Sequence, residues 1–237
     1  MKNTKSPAEA NGDVVAPSDF PKEWYSRGYL PHRDAKQLLQ AVTFRLADSL
    51  PQEKLKLLEE ELSNLPENQR STHQREKIEQ WLDAGMGCCA LHHPKLAEKM
   101  SDALQHFEGQ RYRLLAWCIM PNHVHVLMET LTPIAQIVQG WKSVTARWAL
   151  AHNEELKLGI PDTNHLWMRD YWDRYIRNDR HFENVVLYIH QNPVKAGLCQ
   201  RAEDWPWSSA GTPRSSSATA PHSANEDVGA PIPAQIF

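Results

Sequence analysis

The stretch that decides the fold is residues 120–128, which read Met-Pro-Asn-His-Val-His-Val-Leu-Met. Side chains alternate between the two faces of a β-strand, so this pattern puts His123, His125 and Leu127 on one face and the intervening apolar side chains on the other. The apolar face is expected to pack against the core. The two imidazoles then lie side by side, which suits binding of one metal ion, although two surface histidines would give the same pattern.

A second informative stretch, residues 180–198, predicts an amphipathic helix because its apolar residues recur at helical spacing. Tyr188 lies beside the apolar stripe, and Asn192 lies one turn further along the same side, so both can reach one point in space. Pro193 disfavours helical geometry at Asn192, and Gly197 can adopt a left-handed turn, so the helix is predicted to end at this point. Taken singly, Tyr188 also fits a core-edge tyrosine and Asn192 a helix cap.

Three motifs together resemble the REP-associated tyrosine transposases, which belong to the single-tyrosine HUH transposases of small bacterial insertion sequences. The motifs are residues 120–125, 172–177 and 188–198, and they occur in the order that the family has. The resemblance extends from about Trp24 to Ser209.

The resemblance implies that His123, His125 and Asn192 bind a divalent metal and that Tyr188 is the nucleophile. It further implies an enzyme that cleaves and rejoins single-stranded or hairpin DNA, of the repetitive extragenic palindrome type. The tyrosine would take the 5′ phosphate and free a 3′ hydroxyl. A bound cation would offset the negative charge of the phosphodiester, and a phosphotyrosine would conserve the energy of the bond.

The expected cofactor is Mg²⁺ or Mn²⁺, because two imidazoles and an amide oxygen leave open positions and lack the third strong ligand that Zn²⁺ prefers. His190 is a weaker candidate for a third nitrogen, since it lies two residues along the helix from Tyr188 and should face away from the histidine pair.

Two alternative functions stay open at the level of sequence. One is a non-catalytic regulator that binds DNA hairpins and derives from a transposase. The other is a metal-dependent hydrolase that uses water as its nucleophile and His123 and His125 as ligands. Both a monomer and a homodimer are possible, and in a dimer the Tyr188 helix could serve the histidine pair of the second copy.

The net charge of −3 argues against a broadly basic surface, so DNA contacts would have to come from local patches. The candidates are Lys142 and Arg147 on one helix and Arg174 and Arg177 ahead of the Tyr188 helix, although each also fits a solvated surface charge. Aromatic residues alternate with arginines over residues 167–177, where they could stack on unpaired bases or fill the core.

No run of about 18 apolar residues occurs, and the polar N-terminus lacks the apolar segment of a signal peptide. We therefore expect a cytoplasmic protein with no membrane partner, and the resemblance implies a bacterial, nucleoid-associated one. The four cysteines show no C-x-x-C spacing and are expected to be free thiols.

The order of predicted elements indicates an α+β domain with a ferredoxin-like split βαβ fold and an antiparallel sheet. The predicted strands cover residues 41–46, 111–119, 123–129 and 171–177, and Pro121 and Asn122 are predicted to form a tight turn between the second and third of them. The predicted helices cover residues 51–65, 72–84 and 94–107, and a further helix starts with Thr132 as its cap and Pro133 in its first turn.

The domain organisation follows from composition. Residues 1–20 are expected to be a disordered leader and residues 210–237 a flexible tail rich in Ser, Ala and Pro. The HUH tyrosine transposase domain would occupy residues 21–209, with a charged helical elaboration at about 49–84 for which the sequence suggests no function beyond packing or a partner surface.

Overall fold

The computed structural model describes residues 24–26, 31–33, 38–161 and 165–211. The predicted leader and all but the first two residues of the predicted tail lie outside the described residues. The elements are, in chain order, β1 (Trp24–Ser26), β2 (Pro31–Arg33), β3 (Leu39–Arg45), α1 (Gln52–Ser63), α2 (Glu67–Asp83), α3 (Pro94–Gln105), β4 (Tyr112–Ile119), β5 (His123–Thr130), α4 (Ile134–Ala151), α5 (Asn153–Leu156), β6 (Trp172–Tyr175) and α6 (Asp179–Lys195). Within these ranges no helix is both long enough and apolar enough to cross a membrane.

Strands β3 to β6 form a four-stranded sheet in the order β4-β5-β3-β6, with every neighbouring pair antiparallel. Helices α1 to α3 connect β3 to β4, while α4 and α5 connect β5 to β6. This strand order and these connections are those of the ferredoxin-like split βαβ fold, so the predicted fold class is confirmed. Strands β1 and β2 form a separate antiparallel pair that the sequence did not predict.

The strand that carries the two histidines is central in the sheet. β5 pairs with β3 along nearly its whole length, from Arg45 opposite His123 to Leu39 opposite Glu129, and with β4 on its other side. The predicted turn between β4 and β5 is confirmed, since the Met120 N–H donates to the His123 carbonyl at 2.9 Å.

Helices cover both faces of this sheet. The face that carries Val124 packs against α3 and α4, which confirms the expected core face. The histidine face is buried as well, because α6 packs on it through a cluster that includes Leu127. His123 and His125 are therefore only 1% and 3% exposed, which excludes the alternative of two surface histidines.

The elaboration predicted at about 49–84 is a hairpin of two helices, α1 and α2. It has a small core of its own, formed by Leu58, Ile78 and Leu82 and extended by Trp172 of β6. Trp172 pairs in register with Thr43, which in turn pairs with His125, so the hairpin packs on the histidine side of the sheet. α2 begins one turn earlier than predicted, because residues 67–71 are entirely polar and show no apolar period.

Helix α6 runs through Pro193 to Lys195, so the predicted termination by Pro193 is wrong, whereas the predicted left-handed turn at Gly197 is confirmed. The helix is closed one turn later, where Gly197 has a φ of +71° and the Leu198 N–H donates to the Pro193 carbonyl at 2.8 Å. This is the Schellman arrangement, which provides donors for the last carbonyls of a helix. The stronger stop signal was therefore the glycine and not the proline.

The predicted cap of α4 is also wrong. Pro133 occupies the N-cap position and offers no side-chain hydrogen bond. The Thr132 hydroxyl instead donates to the Arg111 carbonyl at 3.3 Å, so it ties the loop after β5 to the start of β4.

Candidate active site

The imidazole rings of His123 and His125 converge. Their Nε2 atoms lie 2.9 Å apart, and their rings are nearly perpendicular, with centroids separated by 4.6 Å. Two donor atoms bound at right angles to one cation, each at roughly 2.1 Å, would lie about 3.0 Å apart. The spacing of the two nitrogens therefore suits coordination of a single ion.

The side chain of Asn122 determines which nitrogen of His123 carries the proton. Its amide group donates to the carbonyls of Leu82 at 3.2 Å and Met86 at 2.9 Å, so its Oδ1 faces the ring and accepts from His123 Nδ1 at 2.7 Å. His123 Nε2 then carries a lone pair, directed toward His125. Hydrogen bonds of this kind on the far side of the ring are typical of metal-binding histidines.

Thr43 performs the equivalent role for the second ring. Its hydroxyl lies 2.8 Å from His125 Nδ1 and can accept the proton of that nitrogen. In this tautomer His125 Nε2 also carries a lone pair, so both lone pairs point into the space between the rings.

Burial keeps both imidazoles neutral. It lowers the pKa of His125 to about 3, with a further contribution from the positive charge of Lys195. It also lowers the pKa of His123 well below its usual range, with a smaller contribution from His125. The neutral imidazole is the form that can bind a metal ion.

Tyr188 of α6 lies against the histidine pair of the same chain. Its ring meets that of His125 edge-on, with centroids 5.4 Å apart. Burial, together with the negative charges of Glu79 and Asp83, raises the pKa of the Tyr188 phenol. The ammonium of Lys195 lies 4.7 Å from the centroid of the Tyr188 ring, within range of a cation–π contact.

Asn192 is fully buried, one turn beyond Tyr188. Its Nδ2 donates to the Tyr188 carbonyl at 2.9 Å. Its Oδ1 has no hydrogen-bond partner within the described ranges. A buried acceptor without a donor costs about 1–3 kcal/mol. This oxygen therefore fits a role as ligand or acceptor for a group that enters the site.

The donors present fit a hard divalent cation. The described ranges contain no group of three or more His, Cys, Asp or Glu side chains that could hold a metal ion. Two imidazole nitrogens with the amide oxygen of Asn192 would leave positions for water and phosphate, as Mg²⁺ and Mn²⁺ sites do. His190 faces away as predicted, since its Nε2 lies 2.9 Å from the Ser209 hydroxyl.

Two of the predicted DNA contacts lie on the histidine side of the sheet. Arg174 of β6 pairs in register with Ala41, and Arg177 follows the strand with its guanidinium 6.0 Å from the centroid of the Tyr175 ring. Burial and the positive charges of Arg75 and Arg177 lower the pKa of Arg174. Three guanidinium groups thus gather near the Tyr188 helix, and one of them comes from the helical hairpin.

The other two predicted contacts lie on α4, on the opposite face of the sheet. The Nζ atom of Lys142 donates to the carbonyls of Met168, Arg169 and Asp170 at 3.0, 3.2 and 3.1 Å, which gives this residue a structural role, and its role as a DNA contact stays a prediction. All three of its protons are used to hold the loop before β6. Arg147 is exposed, and its role as a DNA contact stays a prediction.

The aromatic residues near β6 serve mainly in packing. Trp167 and Tyr171 are 7% and 5% exposed and belong to the main core, which favours the core alternative for both. Trp172 packs on the helical hairpin, and the guanidinium of Arg45 lies 5.7 Å from its ring centroid.

Several residues of the site were missed by the sequence reasoning. Asn122 stood in the decisive stretch but was interpreted only as a turn residue. Glu79 and Asp83 belong to a helix whose charged residues look, in sequence, like those of a solvated surface. The one unusual feature of this pair is that two like charges lie four residues apart, a spacing that destabilises a helix. The sequence carries no signal that would bring these residues to Tyr188.

The antiparallel sheet carries the paired histidines, and α6 places the tyrosine against them. Residues 91–192 match the family model described as "Transposase IS200 like". This segment contains both histidines, Tyr188 and Asn192, and it covers less than half of the chain.

Two individual proteins are similar to this chain over part of their length. A Haemophilus influenzae protein assigned as a REP-associated tyrosine transposase is 29% identical over 109 residues, which cover 43% of this chain. The Escherichia coli REP-associated tyrosine transposase is 27% identical over 100 residues, which cover 41% of this chain. The matched parts span 61% and 53% of the lengths of these two relatives.

Among solved structures, a REP-associated tyrosine transposase bound to a REP hairpin aligns with 85% of this chain and 99% of its own. The sequence identity is 15% and the TM-score is 0.47.

Replacing Lys142 by Met should lower the free energy of unfolding by about 2–4 kcal/mol, because three carbonyls lose a charged donor. The measurement is urea unfolding at neutral pH. Arg147→Met on the same helix is the matched control and should change stability by about 0.5 kcal/mol or less, since this side chain is exposed. Equal stability of the two variants would contradict the structural role of Lys142.

Proposed function

We propose that this protein is an enzyme that cleaves and rejoins single-stranded or hairpin DNA through a covalent bond to Tyr188. His123, His125 and Asn192 would hold Mg²⁺ or Mn²⁺ beside the tyrosine. One observation carries the proposal: the two Nε2 atoms converge to 2.9 Å, and the ring of Tyr188 lies 5.4 Å from His125 in the same chain.

The chemistry follows from the groups present. When bound, the cation would offset the negative charge of the phosphodiester and orient it for attack. The Tyr188 hydroxyl oxygen attacks phosphorus, the DNA chain is released with a 3′ hydroxyl, and the 5′ phosphate becomes attached to the tyrosine. A 3′ hydroxyl of DNA can later attack the phosphotyrosine in the reverse direction, so joining needs no nucleotide cofactor.

The proposed substrate is a hairpin of the repetitive extragenic palindrome type with adjacent unpaired bases. The support is that both curated relatives are named as REP-associated. Because the histidine pair and Tyr188 lie in one chain, a monomer would hold a complete site.

A covalent adduct tests this proposal most directly. A labelled hairpin oligonucleotide incubated with Mn²⁺ should give a protein-bound band on a denaturing gel, and Tyr188→Phe should abolish that band because it removes only the attacking oxygen. His123→Ala should lose cleavage but retain much of its hairpin binding, since most contacts with DNA lie elsewhere.

The same experiment separates the two alternatives. Hairpin binding without cleavage, across several metals and target sequences, would favour a non-catalytic regulator. Strand cleavage that persists in Tyr188→Phe would favour a hydrolase that uses water, and the nucleophile assigned here would then be wrong.

The proposed metal site gives a second prediction, which does not depend on DNA. Asn122→Ala should weaken Mn²⁺ binding by about 10- to 100-fold, because His123 loses the acceptor that fixes its tautomer and ring orientation. Isothermal titration of Mn²⁺ measures the effect. His190→Ala removes another imidazole of the same domain and should bind Mn²⁺ as tightly as the wild type, whereas equal affinity of Asn122→Ala would contradict the proposed site.

The guanidinium cluster gives a third prediction. Arg174→Gln and Arg177→Gln should each reduce the slope of log K against log salt by about 0.7 for each single-strand phosphate contact that is lost. Fluorescence anisotropy of a labelled hairpin with an unpaired flank provides the slope. The control is Arg113→Gln on the opposite edge strand, where the arginine pairs with Glu129 at 3.1 Å. Unchanged slopes in all three variants would place the DNA on another surface.

A further inference from the structure

The site that is proposed to react with DNA is closed in this structure. Tyr188 is 9% exposed and both histidines are almost completely buried. Reacting atoms must approach to about 3–3.5 Å, so a phosphate with its two flanking nucleotides needs far more room beside Tyr188. We propose that the helical hairpin α1–α2 is a lid, which closes this site and swings away to admit DNA. The inference rests on the proposed function, because it concerns access to the same site.

Two elements cover the histidine face of the sheet. Helix α6 packs on one part of it and carries the proposed nucleophile, so α6 cannot leave the site during the reaction. The hairpin packs near the histidines from two directions. Its core takes in Trp172 of β6, which is in register with Thr43, the hydrogen-bond partner of His125. The end of α2 and the loop beyond accept hydrogen bonds from Asn122, next to His123. The hairpin is therefore the cover that can move.

The packing of the hairpin is that of a separate unit. Its small core is distinct from the two clusters that line the faces of the sheet, and it consists of Leu50, Leu58, Ile78 and Leu82. Within the described ranges, Trp172 is the one hydrophobic side chain outside residues 50–84 that packs against this core, and it is only partly buried. Elements with few buried apolar contacts to the rest of a protein open at low free-energy cost. The hairpin can therefore move without disrupting the core of the sheet.

The two ends of the hairpin are joined at a common base. The Asp48 carboxylate accepts a hydrogen bond from the Cys88 backbone N–H at 2.6 Å, which ties the segment before α1 to the segment after α2. Gly87 fits closely at this point, since a Cβ there would lie 2.7 Å from the Asp48 carbonyl oxygen. Gly85 lies between this base and α2 and has a φ of +68°, a conformation that favours glycine. Because hinges are commonly a few residues at the ends of elements, we expect the lid to pivot at Gly85 and at the entry to α1.

The closed lid also orients the histidine pair. The Asn122 amide donates to the carbonyls of Leu82 and Met86 while its oxygen accepts from His123. When the lid opens, Asn122 loses the two acceptors that direct its amide, and water can take their place. The histidine pair is therefore held most rigidly while the lid is closed.

The charge of the hairpin favours a lid over a surface that binds DNA. α1 and α2 together carry five Lys or Arg residues and eight Asp or Glu residues. Proteins gain affinity for the phosphate backbone from basic side chains, so an acidic element over the site opposes the approach of DNA. Closure of the hairpin and entry of a DNA strand are therefore mutually exclusive.

Chemical modification of histidine measures the opening in the absence of DNA. Diethyl pyrocarbonate reacts with the neutral imidazole nitrogens that it can reach, and mass spectrometry gives the rate at each residue. In the wild type, His125 should react far more slowly than the exposed His106. Trp172→Ala removes the apolar contact between the sheet and the hairpin, so we expect His125 to react about 10-fold faster or more than in the wild type.

Two further variants make this measurement decisive. Trp148→Ala is the matched control, because Trp148 is also half-buried but packs against the core on the opposite face, and it should leave the rate at His125 unchanged. Ile78→Ala weakens the same contact from within the hairpin core and should raise the rate at His125 as Trp172→Ala does. His190, which faces away from the site, should keep its wild-type rate in all three variants, because the domain stays folded. Wild-type rates at His125 in both Trp172→Ala and Ile78→Ala would overturn the inference.

Hydrogen exchange with bound DNA separates a lid from a clamp. In the free protein, the amides of α1 and α2 should exchange as one unit and faster than those of β5. A saturating hairpin oligonucleotide bound to Tyr188→Phe, which cannot form the covalent bond, should make the amides of α1 and α2 exchange faster still. Unchanged or slower exchange in this complex would show that DNA does not displace the hairpin, and the inference would fail. Absence of an adduct with the wild-type protein would instead count against the proposed function, because neither histidine modification nor hydrogen exchange needs cleavage.

Discussion

The Asn122 side chain is the contact on which the rest of the site depends, because its single amide joins three parts of the molecule. It belongs to the turn between β4 and β5, it donates to the end of α2 and to the loop beyond, and it accepts from His123. The two carbonyl acceptors fix the direction of the Asn122 amide, so its oxygen must accept the proton of His123 Nδ1. The Nε2 atom of His123 is then unprotonated, and its lone pair points toward His125. The position of the helical hairpin and the chemistry of the histidine pair are thus coupled through one residue.

The same hairpin determines the electrostatics of the buried site. Burial alone would favour neutral groups, and the two histidines and the Tyr188 phenol are indeed held in their neutral forms. The charged groups near this buried site come from two helices. α2 contributes the carboxyl groups of Glu79 and Asp83 and the guanidinium of Arg75, and α6 contributes Lys195. Charges of opposite sign inside a poorly solvated region interact more strongly than on a surface. A helix that looks solvated in sequence therefore adds to the effect of burial in raising the pKa of the tyrosine.

Much of the fold could be predicted because its signals are local. The alternation around His123 and the helical period around Tyr188 each depend only on neighbouring residues, and the order of elements then restricts the sheet to few topologies. The contributions of Glu79 and Asn122 could not be predicted, because each depends on the packing of a hairpin whose polar residues carry no information about the neighbour they will meet. The structural role of Lys142 could not be predicted for a related reason, because a charge on a helix looks the same in sequence whether it faces water or three carbonyls.

The continuation of α6 beyond Pro193, which the sequence did not predict, has a structural consequence for the site. Had α6 ended at Asn192, that amide would have capped the helix near solvent and Lys195 would have belonged to the following loop. Because the helix continues to the Schellman turn at Gly197, Asn192 stays fully buried on the last full turn, and Lys195 lies one further turn from Tyr188, over its ring. A proline tolerated inside the helix therefore lets three successive turns of α6 present the phenol, the amide and the ammonium to one point.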